Sequence, residues 1–445
     1  MNARRALLLV FILAFGALLF FRWREQPATS ASAGAPTVYN DHMLGVSRLD
    51  TDRGIAQFET RVKEDPRDFI SFTILGQLYS RRGRDKSDLS DFARAEQSFN
   101  HALRLSPEHA AAKSGLAAAY ASQHKFSEAL AVARELYQKN PASLDALATM
   151  ADALLETGQY REGEEAIAKL TEKIGEIPAI LARRAQLSEL KGQTGPAVTL
   201  LQRGVETMRK TADPPTEIAW FEARLGDVYY HSGCLAESER HFDAALALYN
   251  TYPLGLAGLG DIRAAQGRLE DARDLYARAV AESPTPRRLF DLGTIEERLG
   301  NAPAAAERYT AGEEMIRKAG ENQAAYYREL SMFYAERLGK AADALDLAQK
   351  DLALRKDVRG YDVLAWALYR NKRFDEAKAA IGDAMKLGTR DPDFFYHAGM
   401  IYDALGDRAK AAGYLEEAAR ISPRGRPELV KIAGAADGRK CDLRN

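Results

Sequence analysis

The chain has 445 residues, of which 46% are apolar and 28% charged, with a formal net charge of -1. That apolar content excludes wholesale disorder, and the neutral balance excludes a chain-wide basic footprint for nucleic acid. Two cysteines exclude a disulfide-dense scaffold and any Cys-only zinc site.

The first element is an apolar run from Ala6 to Phe21, flanked by Arg4, Arg5, Arg22 and Arg24. A helix of that length spans roughly 24 Å, short of the roughly 30 Å hydrocarbon core. Trp23 at the interface and snorkelling arginines make a short single span feasible. The nearest small-x-small triplet, Ala31-Ser32-Ala33, lies beyond Arg22-Trp23-Arg24 and Pro27. Residues 1–24 therefore read as an uncleaved signal-anchor, with a cleaved signal peptide as the alternative. No cysteine follows the run, so a lipoprotein anchor is excluded. Residues 25–46 read as a flexible linker, since Gln26 to Thr37 is rich in Ala, Ser, Gly and Pro. Residues 1–40 carry four arginines and one glutamate, which leaves a mildly acidic remainder.

Beyond the linker one pattern returns along the chain. Leu75-Gly76 with Tyr79 reappears as Leu116-Ala117 with Tyr120, Leu225-Gly226 with Tyr229, and Ala398-Gly399 with Tyr402. Ten units begin at Phe69, Ala110, Leu144, Pro178, Ala219, Pro253, Pro286, Ala324, Val358 and Pro392. The eighth residue of each is small: Gly76, Ala117, Ala151, Ala185, Gly226, Gly260, Gly293, Ser331, Ala365 and Gly399. A second small residue follows twelve positions later, as at Ala197, Ala272 and Ala305. Four further on stands an apolar one, as at Leu201, Phe242, Tyr276, Tyr309, Ile381 and Leu415. Proline closes several units, as at Pro107, Pro141, Pro284 and Pro423, where it stops a helix.

The pattern resembles the tetratricopeptide repeat, a helix–turn–helix unit of 34 residues. The resemblance implies an all-α, right-handed superhelical solenoid of about ten such repeats over residues 69–425, next to the N-terminal transmembrane helix. Most starts lie 34 residues apart. Pro253 to Pro286 is one residue shorter, and Phe69 to Ala110, Pro178 to Ala219 and Pro286 to Ala324 exceed it by about two, two and one helical turns. Whole added turns lengthen a helix without rotating its apolar face. Phe58 and Pro66 make residues 47–68 a leading half-repeat. Leu429, Ile432 and Ala433 make residues 426–445 a cap helix and tail.

In this family the first helix of each unit lines a concave groove, at positions 2, 5, 9 and 12 with 6 and 13 at the edges. Position nine holds no Asn, so a clamp for a C-terminal carboxylate is not expected. Two groove patches are. The middle units offer Trp220, Arg224, Asp227, Tyr230 and Asp261, suited to a basic or extended peptide. The last units offer Met332, Trp366, Tyr369, Tyr396 and Met400, suited to an apolar helix. The competing reading pairs the acids with Arg183 and Arg224 and uses the aromatics as inter-repeat filling.

No catalytic motif competes. Gly255-Leu256-Ala257-Gly258-Leu259-Gly260 follows no strand, and Gly260 is a packing position. The seven histidines include no pair at i, i+4, so neither a metal nor another cofactor is expected. Cys234 lies in a turn and Cys441 in the tail; an exported setting permits a disulfide, but distance along the solenoid argues against an intramolecular bridge.

The functional expectation is a non-catalytic protein–protein interaction scaffold. It would be tethered in the plasma (inner) membrane by one span, with the solenoid on the extracytoplasmic side, or be periplasmic or secreted after cleavage. The groove would take a partner peptide or protein in an envelope assembly or transport process, with no nucleic acid involved. The alternative is an exported polysaccharide-binding module.

Overall fold

A computed structural model describes residues 50–86 and 89–422, together with 429, 441 and 443. The apolar run at 6–21, the linker before residue 47 and most of the expected cap helix lie outside the described residues. Everything below concerns the compact unit that runs from Ala33 to the C-terminus.

Among the described residues the chain is all helical, with 21 α-helices. α1 (Thr51–Glu64) stands alone and is followed by pairs: α2 (Phe69–Lys86) and α3 (Leu89–Leu105), α4 (Ala110–Ser122) and α5 (Phe126–Lys139), α6 (Leu144–Glu156) and α7 (Tyr160–Ile174). Next come α8 (Pro178–Leu190) and α9 (Thr194–Thr211), α10 (Pro215–His231) and α11 (Leu235–Leu248), α12 (Pro253–Ala265) and α13 (Leu269–Glu282). The last pairs are α14 (Pro286–Arg298) and α15 (Ala302–Lys318), α16 (Tyr327–Phe333) and α17 (Ala341–Leu354), α18 (Val358–Arg370) and α19 (Phe374–Ala384), α20 (Pro392–Ala404) and α21 (Arg408–Ile421).

In eight units the first helix begins at the residue expected from the repeat. α10 starts one turn early, at Pro215, where proline's fixed φ suits a first helical position. The extra turns near residues 83–95 and 204–215 are absorbed as longer helices, as in α2, α3, α9 and α10. The eighth unit is the irregular one. A 3-10 segment at Gly320–Tyr326 precedes α16, and a π-helical turn at Tyr334–Leu338 follows it. Its small residue still does its work: Ser331 is buried and donates to the Ala344 carbonyl at 2.8 Å.

The small eighth position is a steric requirement. A Cβ on Gly293 would lie 2.5 Å from the Tyr309 ring, and one on Gly226 would lie 2.7 Å from the Phe242 ring. Each large residue stands sixteen positions after the glycine it covers. The second helix of a unit thus inserts a ring where the first helix has no side chain. α1 packs the same way at the leading end, burying Ile55 and Phe58 in a cluster with Leu75, Leu78 and Phe99.

The solenoid then touches itself. The turn after α6 meets the junction before α18: Val358 N–H donates to the Tyr160 hydroxyl at 2.7 Å, and both residues are buried. A Cβ on Gly158 would meet the Lys356 carbonyl oxygen at 2.1 Å. One unit on, the Thr389 hydroxyl donates to the Leu190 carbonyl at 2.6 Å, and a Cβ on Gly192 would meet the Gly388 oxygen at 2.1 Å. Arg355 donates to His124 Nδ1 at 3.2 Å. One more unit on, Cys234 in the turn after α10 is bonded to Cys441, with their Cα atoms 5.1 Å apart and a sequence separation of 207. Leu443 packs beside this bridge against the cluster of Leu181, Leu201 and Phe221. A single apolar cluster joins residues 126–190 to residues 335–429 across this seam.

The intramolecular disulfide overturns the sequence expectation. Separation along an open solenoid was the wrong measure, because contacts separated by 198, 199 and 207 residues mark about one full turn of roughly six repeats. Successive turns pack directly on one another.

The crossing geometry makes a checkable prediction. Gly293→Val should lower the denaturation midpoint by overpacking, by about 1–3 kcal/mol. Gly382→Ala, which meets nothing within 4 Å, should raise stability by roughly 0.5–1 kcal/mol. Urea titrations of both variants read the two signs.

Candidate concave interaction surface

Several first helices carry acids and arginines at the groove positions expected from the repeat. At the fourth unit Arg183, only 1% exposed, donates to both oxygens of Asp152 at 2.8 and 2.7 Å and to the Ala179 carbonyl. Asp152 is nonetheless pushed up to about 6, because burial outweighs the guanidinium. At the fifth unit Arg224 bridges Glu189 at 2.9 Å and Asp227 at 3.1 Å. The Asp227 side chain keeps 39% exposure. His231 is exposed and bonds the Asp227 carbonyl, an ordinary surface arrangement.

Asp261 and Asp291 continue the row. Arg287 holds Asp291 at 2.9 Å, yet its own side chain is 65% exposed. Asp261 accepts from the Tyr276 hydroxyl at 2.6 Å, and no cation lies within ion-pair distance of it among the described residues. Burial first, then the charge of Asp291, push the Asp261 carboxyl up to about 6. Burial likewise raises Glu329 and Asp391, with Asp291 adding to the first and Asp393 to the second. Arg287 opposes these shifts at Asp261 and Glu329, and His231 does so at Asp391, without overcoming burial.

The other expected residues divide. Trp220 is half-buried and sits edge-on to Phe221, with ring centroids 5.0 Å apart. Tyr230 is half-buried, and burial raises its hydroxyl well above the ordinary range. Trp366 and Tyr396, expected in an open stripe, are only 4% and 7% exposed. Trp366 stacks on His397 at 4.3 Å and on Tyr369 at 4.8 Å, and His397 Nδ1 bonds Asp362 at 2.8 Å. Met332, Tyr369 and Met400 are half-buried against the same core. The aromatic and methionine patch is thus largely consumed in packing between units. Its residues stand one above another on consecutive first helices, where the next helix covers them.

Arg287, Asp291, Glu329, Asp391 and Asp393 were not singled out from the sequence. Four of them lie at groove or edge positions two and six, so a reading weighted toward position nine passed over them. Among the described residues, one group of three side chains has metal-ligand spacing: Cys234, Glu237 and Cys441. Its two sulfurs are bonded to each other and offer no thiolate. No helix among the described residues is long and apolar enough to cross a membrane.

Comparison with known proteins agrees with the repeat. Family models described as tetratricopeptide repeat match residues 120–187, and residues 80–143, 223–285 and 363–426, together a little over half of the chain. The crystal structure of the yeast Tom70 superposes with a TM-score of 0.34 at 13% identity, covering 82% of this chain and 94% of that one. The crystal structure of the APC/C hetero-tetramer Cut9-Hcn1 gives 0.33 at 15% identity, covering 88% and 94%. No curated protein matches the chain.

The raised carboxyl of Asp261 has a stability consequence. The folded chain binds a proton that the unfolded chain has released, between the ordinary 3.8 and about 6. The contribution is fully present below that window and lost as pH rises through it. Asp261→Asn, which can still accept from Tyr276, should therefore melt higher than the parent above about pH 7 and converge with it near pH 4. Paired thermal melts across that range check the sign.

Proposed function

The chain belongs to the tetratricopeptide repeat family, whose members are typically non-catalytic protein-interaction scaffolds, and we propose that its inner face holds an extended basic segment of a protein partner. The carrying observation is the row Asp227, Asp261 and Asp291 on three consecutive units, in which Asp261 has no ion-pair partner among the described residues. A buried carboxylate that costs stability at neutral pH is the kind of local conflict expected at a functional position. Lysine or arginine side chains of a ligand would supply the missing charge. Arg224 and Arg287 pair with the flanking acids, and the central one accepts from Tyr276 with only the more distant charge of Arg287 opposing its own.

We also propose that the protein works outside the cytoplasm, tethered by residues 6–21, in envelope assembly or transport. The Cys234–Cys441 disulfide supports an oxidising compartment. The polysaccharide reading has less to rest on, since one of the two tryptophans it needs, Trp366, is buried against His397.

A linear peptide alternating lysine and glycine is the test ligand. Its affinity should fall as salt rises and as pH drops through about 6, where Asp261 takes up a proton. Asp261→Asn should weaken binding about tenfold, the equivalent of roughly 1.4 kcal/mol. Titration calorimetry with an acidic peptide of equal length as control would refute the reading if both peptides bound alike, or neither did.

A further inference from the structure

A cleft of about 360 Å³ straddles the seam. That volume falls within the roughly 300–1,000 Å³ of small-molecule sites. One wall is a face of α5, where Ser127, Leu130 and Arg134 follow at intervals of three and four residues and so line up along the helix. The other side comes from Leu354, the last residue of α17, and Lys356 in the junction after it. Thr157, in the turn after α6, lies between them in the chain's third unit. The cleft therefore draws on both turns of the superhelix. It sits at the point where the Lys356 carbonyl presses on Gly158 and where Val358 donates to Tyr160. None of its lining residues belongs to the acidic row, so the site stands apart from the basic-segment reading.

The lining chemistry is specific in sign. Lys356 is exposed, and its ammonium group has no hydrogen-bond or ion-pair partner among the described residues. The Ser127 hydroxyl is also exposed and without a partner among them. Arg134 donates through Nη2 to Gln159 at 3.2 Å and to Glu162 at 3.0 Å. Glu162 thus already answers the Arg134 charge, which leaves one uncompensated positive charge, that of Lys356. Thr157 and Gln159 are committed to each other at 2.9 Å, and Thr157 also donates to the Ala153 carbonyl. The apolar part of the lining is Leu130 with Leu354, and Leu354 keeps 41% exposure. One free cation and one free hydroxyl beside an uncovered leucine suit a molecule with a single negative charge and a short apolar chain.

We propose that this cleft binds a small monocarboxylate with a short alkyl chain, its carboxylate on Lys356 and Ser127 and its chain along Leu354, and that the ligand clamps the two turns of the superhelix together. A ligand that touches α5 on one side of the seam and Lys356 on the other binds the closed seam better than a parted one. Its binding free energy is therefore added to the closure. The Val358 amide reports this directly. It is the first residue of α18, it has no acceptor within its own helix, and its bond to Tyr160 crosses the seam. Its hydrogen exchange requires that bond to open.

The test uses the full chain with octanoate as the probe, read by titration calorimetry and by native-state hydrogen exchange. Octanoate at ten times its dissociation constant should slow exchange at Val358 by about tenfold. Lys356→Gln should weaken octanoate binding by about tenfold. The Lys356 side chain is exposed, and only its backbone meets Gly158, so this variant keeps the fold. Octylamine, with the same chain and the opposite charge, should not bind. Absence of octanoate binding would overturn the site. Equal binding of octylamine, or octanoate binding unchanged in Lys356→Gln, would overturn its assignment to a carboxylate. Tighter binding of octyl phosphate than of octanoate would overturn the single negative charge. Octanoate binding that leaves Val358 exchange unchanged would overturn the clamp.

Discussion

The structure depends on a crossing between two helices where one of them has no side chain. Gly226 against Phe242 and Gly293 against Tyr309 bring helix backbones close enough that the ring of one fills the gap of the other. A Gly, Ala or Ser stands at that crossing in every unit, so the two helices of each unit can approach closely. A small constant rotation adds up over several repeats. In this chain it completes a circuit after about six units, and the second turn lands on the first with glycines at the points of contact. A local steric rule thereby produces a long-range closure.

That closure explains where the polar residues sit. Asp351, Arg355 and Asp357 are buried with Arg328 in a network beside the seam, each carboxylate meeting a guanidinium. Paired charges of this kind contribute little net stability but penalise a wrong register, so they suit a contact that must form in one place. The inner face shows the opposite arrangement. Its arginines satisfy Asp227 and Asp291 and leave Asp261 to a tyrosine hydroxyl. One set of ions lies beside the seam, and the other lies along the first helices of the fifth to seventh units.

Much of the fold was legible because the crossing rule writes itself into single positions. Gly76, Gly260 and Gly399 marked their units, and helices begin at Phe69, Pro253 and Pro392 as the period requires. The longer spacing before the eighth unit was read as one added turn, but the chain spends it on 3-10 and π geometry around α16, which no residue period encodes. The acids Asp227 and Asp261 could be named from the sequence because both fall at position nine. The burial of the aromatics was not legible. Trp366 and Tyr396 occupy groove positions too, and only the neighbouring His397 and Tyr369 rings decide that they are covered. The seam left no local signature at all. Gly158 and Gly192 have positive φ, as many turn glycines do, and nothing in their neighbourhood shows that a carbonyl some 200 residues away presses on them.

The most direct measurement is non-reducing peptide mapping of the native chain by mass spectrometry. The account predicts a fragment in which the peptide around Cys234 is joined to the peptide around Cys441 within one molecule. Two free thiols, or a bridge between two copies of the chain, would contradict a superhelix that closes on itself after one turn.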